Sequence, residues 1–360
     1  MNLYIKMYLN KNLGDDLMLI KFVEYFNEYN IYVDCQVIYA GYYDELLKEY
    51  SNIILIQCPL RKIEKVFGKG FFKCIVLLGG SVLQGNKYSG CWYRFLNCLH
   101  FKKYKKNGTR YAIIGCNTGP FKNNFMRYFV KLELNKADLI TTRDTDSFEF
   151  IKNVTRSKKT PIHYFPDILF CLSNRDNDFD KNNKVLGISV HGPTKEKTSQ
   201  FLANVCNEYL LNDGEKIKLF CFETGLNNND KDAAEIIKSM VIKRDCVELI
   251  CNENNMKEFI NNFISCERII AVRFHASIIA TAFNMPFISI SYSNKTKNYM
   301  SDIKCIDKNI SIDVLDKTPE KDFLYLLNHN PAMPNMNFKK NHEGHFDVLN
   351  KYLVQLDKED

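Results

Sequence analysis

A series of short, unbroken apolar runs, each stopped by Gly, Pro or a polar residue, limits this chain more than any other feature. Residues 52–56, 74–78, 111–114 and 138–141 are such runs in the first half. Strands with one wet face alternate apolar and polar residues, whereas strands covered on both faces are continuously apolar. The stretches between the runs are long enough for crossover helices, so the first half reads as a parallel βαβ sheet. Residues 173–184 are then almost wholly polar, as a linker is. New apolar runs follow at 185–190, 218–222, 268–272 and 287–291, and the αβ pattern repeats. The reading is an N-terminal α/β domain at 1–172, a linker at 173–184, a C-terminal α/β domain at 185–330 and a tail at 331–360. Asn330-Pro331-Ala332-Met333-Pro334 breaks regular structure, after which Phe346, Leu349, Leu353 and Leu356 recur at helical spacing. That last helix is expected to pack back across the junction of two domains facing a central cleft.

Composition narrows the partners. With 360 residues, 46% apolar and 25% charged, the chain suits a soluble two-domain protein. Its net charge of +7 is scattered, and the densest cluster, Lys102-Lys103-Tyr104-Lys105-Lys106, is one small patch. Nucleic-acid binders concentrate such charge along a face, so no nucleic-acid partner is expected. A mildly basic surface suits an anionic small substrate or an anionic membrane face. Met1 to Lys6 runs straight into a strand, without the basic and apolar regions of a signal peptide, and no apolar window reaches 18 residues. A cytoplasmic protein is expected, with any contact to a membrane peripheral, at its inner face and through the Lys102–Lys106 patch. The thirteen Cys lie singly, with no C-x-x-C pair, and read as buried reduced thiols; no metal site is expected.

Four constellations at strand ends could carry chemistry. Asn12-Leu13-Gly14-Asp15-Asp16 precedes a helix expected to begin near Asp15. Gly14 lets the chain turn beside a ligand, and Asp15 or Asp16 either caps the helix or accepts a proton from a sugar hydroxyl. Gly79-Gly80-Ser81 follows a buried strand, where ligands of open α/β sheets bind, but lacks the Gly-Lys-Ser/Thr of a Walker loop. Arg143, after the 138–141 strand, either is a surface or ion-paired arginine or grips a carboxylate or phosphate with its planar fork. Arg273-Phe274-His275 sits where a buried strand meets a helix. If the backbone there stays extended, Arg273 and His275 point the same way and make an anion site beside free helix N–H groups. His275 either rests in the core or donates a proton to a leaving phosphate. Lys295, at the next strand end, is a surface lysine or a phosphate ligand.

Taken in order, these segments resemble the polysaccharide pyruvyltransferase family. The resemblance rests on Asn12-Leu13-Gly14-Asp15, Gly79-Gly80-Ser81 to Gln84, Gly119-Pro120-Phe121, Thr142-Arg143-Asp144 to Ser147, Pro166-Asp167, Arg273-Phe274-His275-Ala276 and Tyr292 to Lys295, and covers roughly residues 1 to 300. Ser81 stands where many relatives carry a third glycine, and Asn117-Thr118 replaces small or aliphatic residues before Gly119-Pro120. The resemblance implies a GT-B-like fold of two Rossmann-like, doubly wound α/β domains. It implies that pyruvate passes from phosphoenolpyruvate to a hexose of a surface polysaccharide or glycan precursor, as a ketal, with release of phosphate. Phosphoenolpyruvate is then a co-substrate, with no metal or organic cofactor, and the acceptor a sugar or lipid-linked oligosaccharide. Arg143, Arg273, His275 and Lys295 are assigned to the donor, and Asn12, Gly14, Gly79, Gly80 and Ser81 to the acceptor side. His275 and Asp15 or Asp16 are the catalytic candidates. Two other readings stand beside this one. A nucleotide-sugar glycosyltransferase of the same architecture would need a ribose site, for which the second half shows no distinctive Glu motif. A relative that only binds glycan is the other, and the presence of both Arg273 and His275 speaks against it.

Overall fold

The computed structural model describes residues 1–358 except 36, 38, 40, 82, 86–87, 122, 156–158, 175–182, 193–195, 227–228, 254 and 333–342. Most of the expected linker therefore lies outside the described residues, as do Pro193, Met333 and Pro334. The chain runs β1 (Asn2–Lys6), α1 (Leu13–Tyr25), β2 (Asn30–Asp34), α2 (Asp44–Glu49), β3 (Ile53–Ile56), α3 (Ile63–Phe67), β4 (Cys74–Leu78), β5 (Leu83–Gly85), α4 (Tyr88–Lys106), β6 (Arg110–Cys116), β7 (Thr118–Phe121), α5 (Asn124–Leu134), β8 (Leu139–Thr142), α6 (Thr145–Val154) and β9 (Ile162–Tyr164). It continues through β10 (Val185–Ser189), α7 (Glu196–Leu211), β11 (Lys216–Cys221), α8 (Asp230–Met240), β12 (Val247–Cys251), α9 (Met256–Ile264), β13 (Arg268–Ala271), α10 (Phe274–Ala282), β14 (Phe287–Ser291), α11 (Asn294–Asp302), β15 (Asn309–Ser311), α12 (Glu320–His329) and α13 (Gly344–Lys358).

Two compact units result. The first takes Met1–Leu9, Asp15–Ile168 and Lys340–Asp360; the second takes Asn10–Gly14 and Leu169–Lys339. In the first, a seven-stranded sheet has the order β3-β2-β1-β4-β6-β8-β9, and in the second a six-stranded sheet has the order β12-β11-β10-β13-β14-β15. Every neighbouring pair in both sheets is parallel. Each unit is doubly wound: the chain moves outward from a central strand, then returns to that strand's other side. In such sheets ligands gather outside the carboxyl ends of the strands, at the point where the order reverses. That point lies between β1 and β4 in the first unit and between β10 and β13 in the second.

The cores follow from the apolar runs. Every residue of β4 is buried, as is every residue of β14, because helices cover both faces. Short polar side chains start the surrounding helices: Asn123, Asp144, Asn229 and Asn255 each accept a backbone N–H of the first turn of α5, α6, α8 and α9. The closing helix α13 belongs to the first unit, where Phe346 meets the rings of Phe22, Tyr25 and Phe26. Its neighbour His345 is fully buried, bonded to Thr141 Oγ1 at 2.7 Å and to the Pro166 carbonyl at 2.8 Å. All thirteen thiols are free, and eleven are buried.

Candidate functional site

In the second unit, the ends of β10, β13 and β14 are neighbours in the sheet and lead into His191, Arg273 and Tyr292-Lys295 respectively. Arg273 is the N-cap of α10, with extended backbone, and its N–H bonds Ser189 Oγ at 3.1 Å. Its guanidinium is held by two carboxylates. Nε donates to Asp230 Oδ2 at 3.0 Å, Nη1 to Glu223 Oε2 at 2.9 Å, and Nη2 to Asp230 Oδ1. Asn10 and Asn12 also donate to Glu223, at 3.1 and 3.3 Å, while the backbone N–H groups of Gly192 and Glu223 donate to Asp230. Burial weighs against the charged guanidinium, but Asp230 holds it charged, with its pKa above the ordinary value. Burial likewise lifts the Asp230 carboxyl, against the pull of Arg273. The cluster is buried throughout and carries one more formal negative than positive charge, so Arg273 meets an anion only with N–H groups left over from this clamp.

His275 departs from the expected geometry. The extended backbone stops at Arg273, and α10 opens at Phe274, which puts His275 in the helix's first turn instead of two residues along a strand. Its ring lies against Gly14, where an added Cβ would overlap the imidazole. Gly14 is thus required by close approach. Gly14→Ala is expected to lower stability by about 1–3 kcal/mol through overpacking. Adding His275→Ala should return most of that loss in thermal melts. Additive losses would show that the ring is not what the methyl meets.

Beside these groups, the His191 ring stacks on Tyr292, with centroids 3.9 Å apart. Burial, with the charges of Arg273 and Lys295, pushes the His191 pKa down to about 3, so this imidazole is neutral at physiological pH. Lys295 Nζ stands 5.4 Å from the Phe274 ring centroid and 5.9 Å from that of Tyr292. It lies in the first turn of α11, where the helix dipole favours an anion. Lys295 and the first turns of α10 and α11 bring positive charge to this edge of the second sheet, beside the net negative Arg273–Glu223–Asp230 cluster. Sequence reasoning missed His191, Glu223 and Asp230. The only signal for His191 was a buried strand running directly into His191-Gly192.

In the first unit, Gly79 and Gly80 both adopt positive φ, 56° and 69°, and turn the chain sharply after β4. Ser81 Oγ then donates to Asn117 Oδ1 at 3.0 Å. Arg143 donates to the same oxygen at 3.0 Å and to Asp167 Oδ2 at 2.8 Å. Arg143 thus forms a buried ion pair with Asp167. The two acids of α1 also part company. The helix begins at Leu13, and its cap is Asn12, whose Oδ1 accepts the Gly14 N–H at 3.2 Å, so neither Asp15 nor Asp16 caps it. Asp16 accepts the hydroxyls of Tyr42 and Tyr43 at 2.6 and 2.9 Å and is fully buried, which corrects its reading as a base. Asp15 is buried in the same turn.

A cavity of about 500 Å³ opens at the carboxyl ends of β1, β2 and β3, lined by Lys6, Met7, Asp34, Cys35, Gln57, Pro59 and Tyr93. Lys6 donates to the Tyr93 hydroxyl at 2.7 Å, and Asp34 accepts the Tyr4 hydroxyl at 2.9 Å. Burial lifts the Asp34 carboxyl above its usual range, against that hydroxyl and Lys6. An aromatic face beside a carboxylate, an amide and an amine suits a polyol. None of these residues was singled out from the sequence, because they come from four separate segments, the ends of β1, β2 and β3 with the loops after them, and α4. Among the described residues, no cluster of three or more His, Cys, Asp or Glu could hold a metal ion.

Comparison with known proteins agrees with this architecture. HepE of Anabaena, solved in complex with UDP, is 12% identical over 100% of both chains, with a TM-score of 0.57. UDP-N-acetylglucosamine 2-epimerase from Rickettsia bellii is 10% identical over 99% of this chain and 97% of its own, with a TM-score of 0.57. A UDP-glucosyltransferase from Polygonum tinctorium is 8% identical, covering 98% and 94%, with a TM-score of 0.54. At such identities the likeness concerns the fold alone, which is GT-B-like. No curated protein matches the chain in sequence. Residues 12–294 match the model of the polysaccharide pyruvyl transferases, a span that takes in every strand-end motif from Asn12 to Tyr292, and the chain belongs to that family.

Proposed function

We propose that the protein transfers the pyruvyl group of phosphoenolpyruvate to a hexose of a surface polysaccharide or glycan precursor. The observation that carries this is the placement of Lys295 and the first turns of α10 and α11 beside Arg273 and His275 at the carboxyl ends of β13 and β14, in a chain of this family. In the reaction, the methylene carbon of phosphoenolpyruvate gains a proton and the neighbouring carbon becomes electrophilic. One sugar hydroxyl adds to that carbon and loses its proton. The carbon–oxygen bond to phosphate breaks, phosphate takes up a proton, and a second hydroxyl adds and loses its own. The products are a cyclic ketal and inorganic phosphate.

Lys295 and the helix ends bind the phosphate, and His275 supplies the proton on its departure. Arg273 offers its remaining N–H groups to the donor carboxylate from a position fixed by Asp230 and Glu223. Arg143, expected among the donor ligands by resemblance, is a positioning residue that orders Asn117 and Ser81. Asp15 is one candidate base for the hydroxyl. Asp34 is the other, since a lifted carboxyl pKa brings a base closer to neutral pH. The acceptor is a sugar or lipid-linked oligosaccharide. The protein works in the cytoplasm, peripheral to the inner face of the membrane where the acceptor is lipid-linked.

Calorimetric titration of phosphoenolpyruvate and, separately, UDP tests this. Lys295→Ala is the better probe than Arg273→Ala, because it leaves no buried charge behind. Phosphoenolpyruvate is expected to bind the wild type, and about tenfold or more weaker to Lys295→Ala, as loss of a charge-assisted hydrogen bond implies. Binding of UDP without any response to phosphoenolpyruvate would sink the proposal in favour of a nucleotide-sugar glycosyltransferase.

A further inference from the structure

We infer that the outer face of α4, with the start of α5, is a docking surface for an anionic lipid bilayer. This stands independently of the transfer chemistry. Several large apolar side chains exposed on this face gather on two neighbouring helices. Trp92 is 62% exposed and Leu99 51% on α4, and Phe125 is 62% and Tyr128 56% exposed on α5. The two helices are joined by rings: Trp92 to Phe95 at 5.5 Å between centroids, Phe95 to Phe129 at 6.1 Å, and Phe129 to Tyr128 at 5.5 Å. Contiguous patches of this kind on a protein surface mark a partner.

Charge identifies the partner. Positions 92, 95, 99, 102 and 106 fall on one side of a helix. The apolar half of that stripe therefore continues into Lys102 and Lys106, both exposed. Lys103 is paired with Glu64 and Lys105 with Asp138, so the stripe's net positive charge rests mainly on Lys102 and Lys106. Arg127 adds to it from α5, its guanidinium 5.5 Å from the Phe150 ring. Protein interfaces are poor in lysine at and around their apolar centres. A crown of Trp, Phe and Tyr with lysines beside it is instead the composition of a helix lying in the headgroup layer. Among the described residues, no helix is long and apolar enough to cross a membrane, so the contact would be in plane. Tyr93 follows Trp92 directly and lines the 500 Å³ cavity of the first unit, so docking by this face sets that cavity beside the headgroups.

The chain's single tryptophan is Trp92, which makes the test direct. Its emission is recorded with phosphatidylcholine vesicles and with vesicles containing phosphatidylglycerol, each with and without bromine on the acyl chains. The expected result is a blue shift and bromine quenching in the anionic vesicles, weakened as the screening length shortens from about 8 Å at 0.15 M salt to about 3 Å at 1 M. Lys102→Gln with Lys106→Gln should weaken partitioning about 25-fold, at roughly fivefold per lysine near an anionic surface. Leu99→Ser with Phe125→Ser should abolish quenching while leaving the thermal melt within about 0.5 kcal/mol of wild type, since both are exposed. Unchanged emission on anionic vesicles would overturn the inference. So would a blue shift that grows with protein concentration in the absence of lipid, because the face would then cover a second copy. Equal partitioning into neutral and anionic vesicles, insensitive to the lysine variant, would also count against it.

Discussion

Arg273→Ala is expected to destabilise the second unit by about 3–5 kcal/mol, because it leaves the buried carboxylates of Asp230 and Glu223 without their cation. For a unit of this size that corresponds to a fall in melting temperature of roughly 6–20 °C. The loss should depend on pH in a definite direction. Burial already holds the Asp230 carboxyl above its ordinary 3.8, and Arg273 opposes that shift, so removing Arg273 lifts it further. The folded variant then binds a proton that the unfolded chain does not. Its stability therefore rises as pH falls through the folded pKa toward 3.8. The deficit against wild type should be largest near neutral pH and smaller near pH 5. Arg273→Lys keeps the charge but not the fork, and should fall between wild type and Ala. Arg273→Met combined with Glu223→Gln and Asp230→Asn should recover most of the loss, since no buried charge is then orphaned. Thermal melts of the four proteins at two pH values decide it. A loss below 1 kcal/mol for Arg273→Ala would mean that water or backbone donors already neutralise the carboxylates. This also bears on how activity data are read, since an inactive Arg273→Ala protein could reflect a damaged fold as readily as a lost donor contact.

How much of this was legible beforehand depends on the range of the interaction. The eight apolar runs correspond to β3, β4, β6, β8, β10, β11, β13 and β14, since a strand covered on both faces writes its burial into consecutive residues; β3, an edge strand with Ile54 exposed, is apolar without being so covered. β2 and β12 escaped notice for the opposite reason. β2 alternates between buried and partly exposed positions, and β12 is an edge strand, mostly half-buried, with Glu248 second in it. The strand-end motifs were readable because a parallel sheet delivers its carboxyl ends to one edge. What each side chain does there was not. Arg273 meets Asp230 and Glu223 from 43 and 50 residues away, and no spacing rule spans that distance. Asn12 and Asp15 are equally good caps on paper; only the helix start at Leu13 separates them. The path of the chain was equally hidden. No change in composition marks Asn10–Gly14, yet those residues group with the second unit, where Leu13 N–H bonds the Phe222 carbonyl at 2.9 Å.

The closing helix is the other place where one element carries a large share of the stability. Ending the chain before Gly344 should prevent the first unit from folding. α13 buries Phe346, Leu349 and Leu353, and covers Phe22 of α1 and Phe26 just beyond it in return. At about 1.5–3 kcal/mol for each buried side chain, the three alone contribute roughly 5–9 kcal/mol. That is comparable to the whole stability of an ordinary domain, about 5–15 kcal/mol. A single substitution tests the argument more gently. Phe346→Ala should cost about 3–5 kcal/mol, because three aromatic neighbours lose their partner and leave a cavity. Val354→Ala, on the exposed side of the same helix, should stay within about 0.5 kcal/mol. Acid should act on the same element through His345, whose pKa burial pushes down to about 4. An imidazole held below its unfolded pKa of about 6.5 binds fewer protons in the folded state, so stability falls as pH drops from about 6.5 toward 4. In His345→Gln, which cannot charge, that part of the acid loss should disappear. If Phe346→Ala and Val354→Ala melt alike, α13 is not anchored by its aromatic face, and the truncated chain should then fold as well as the full one.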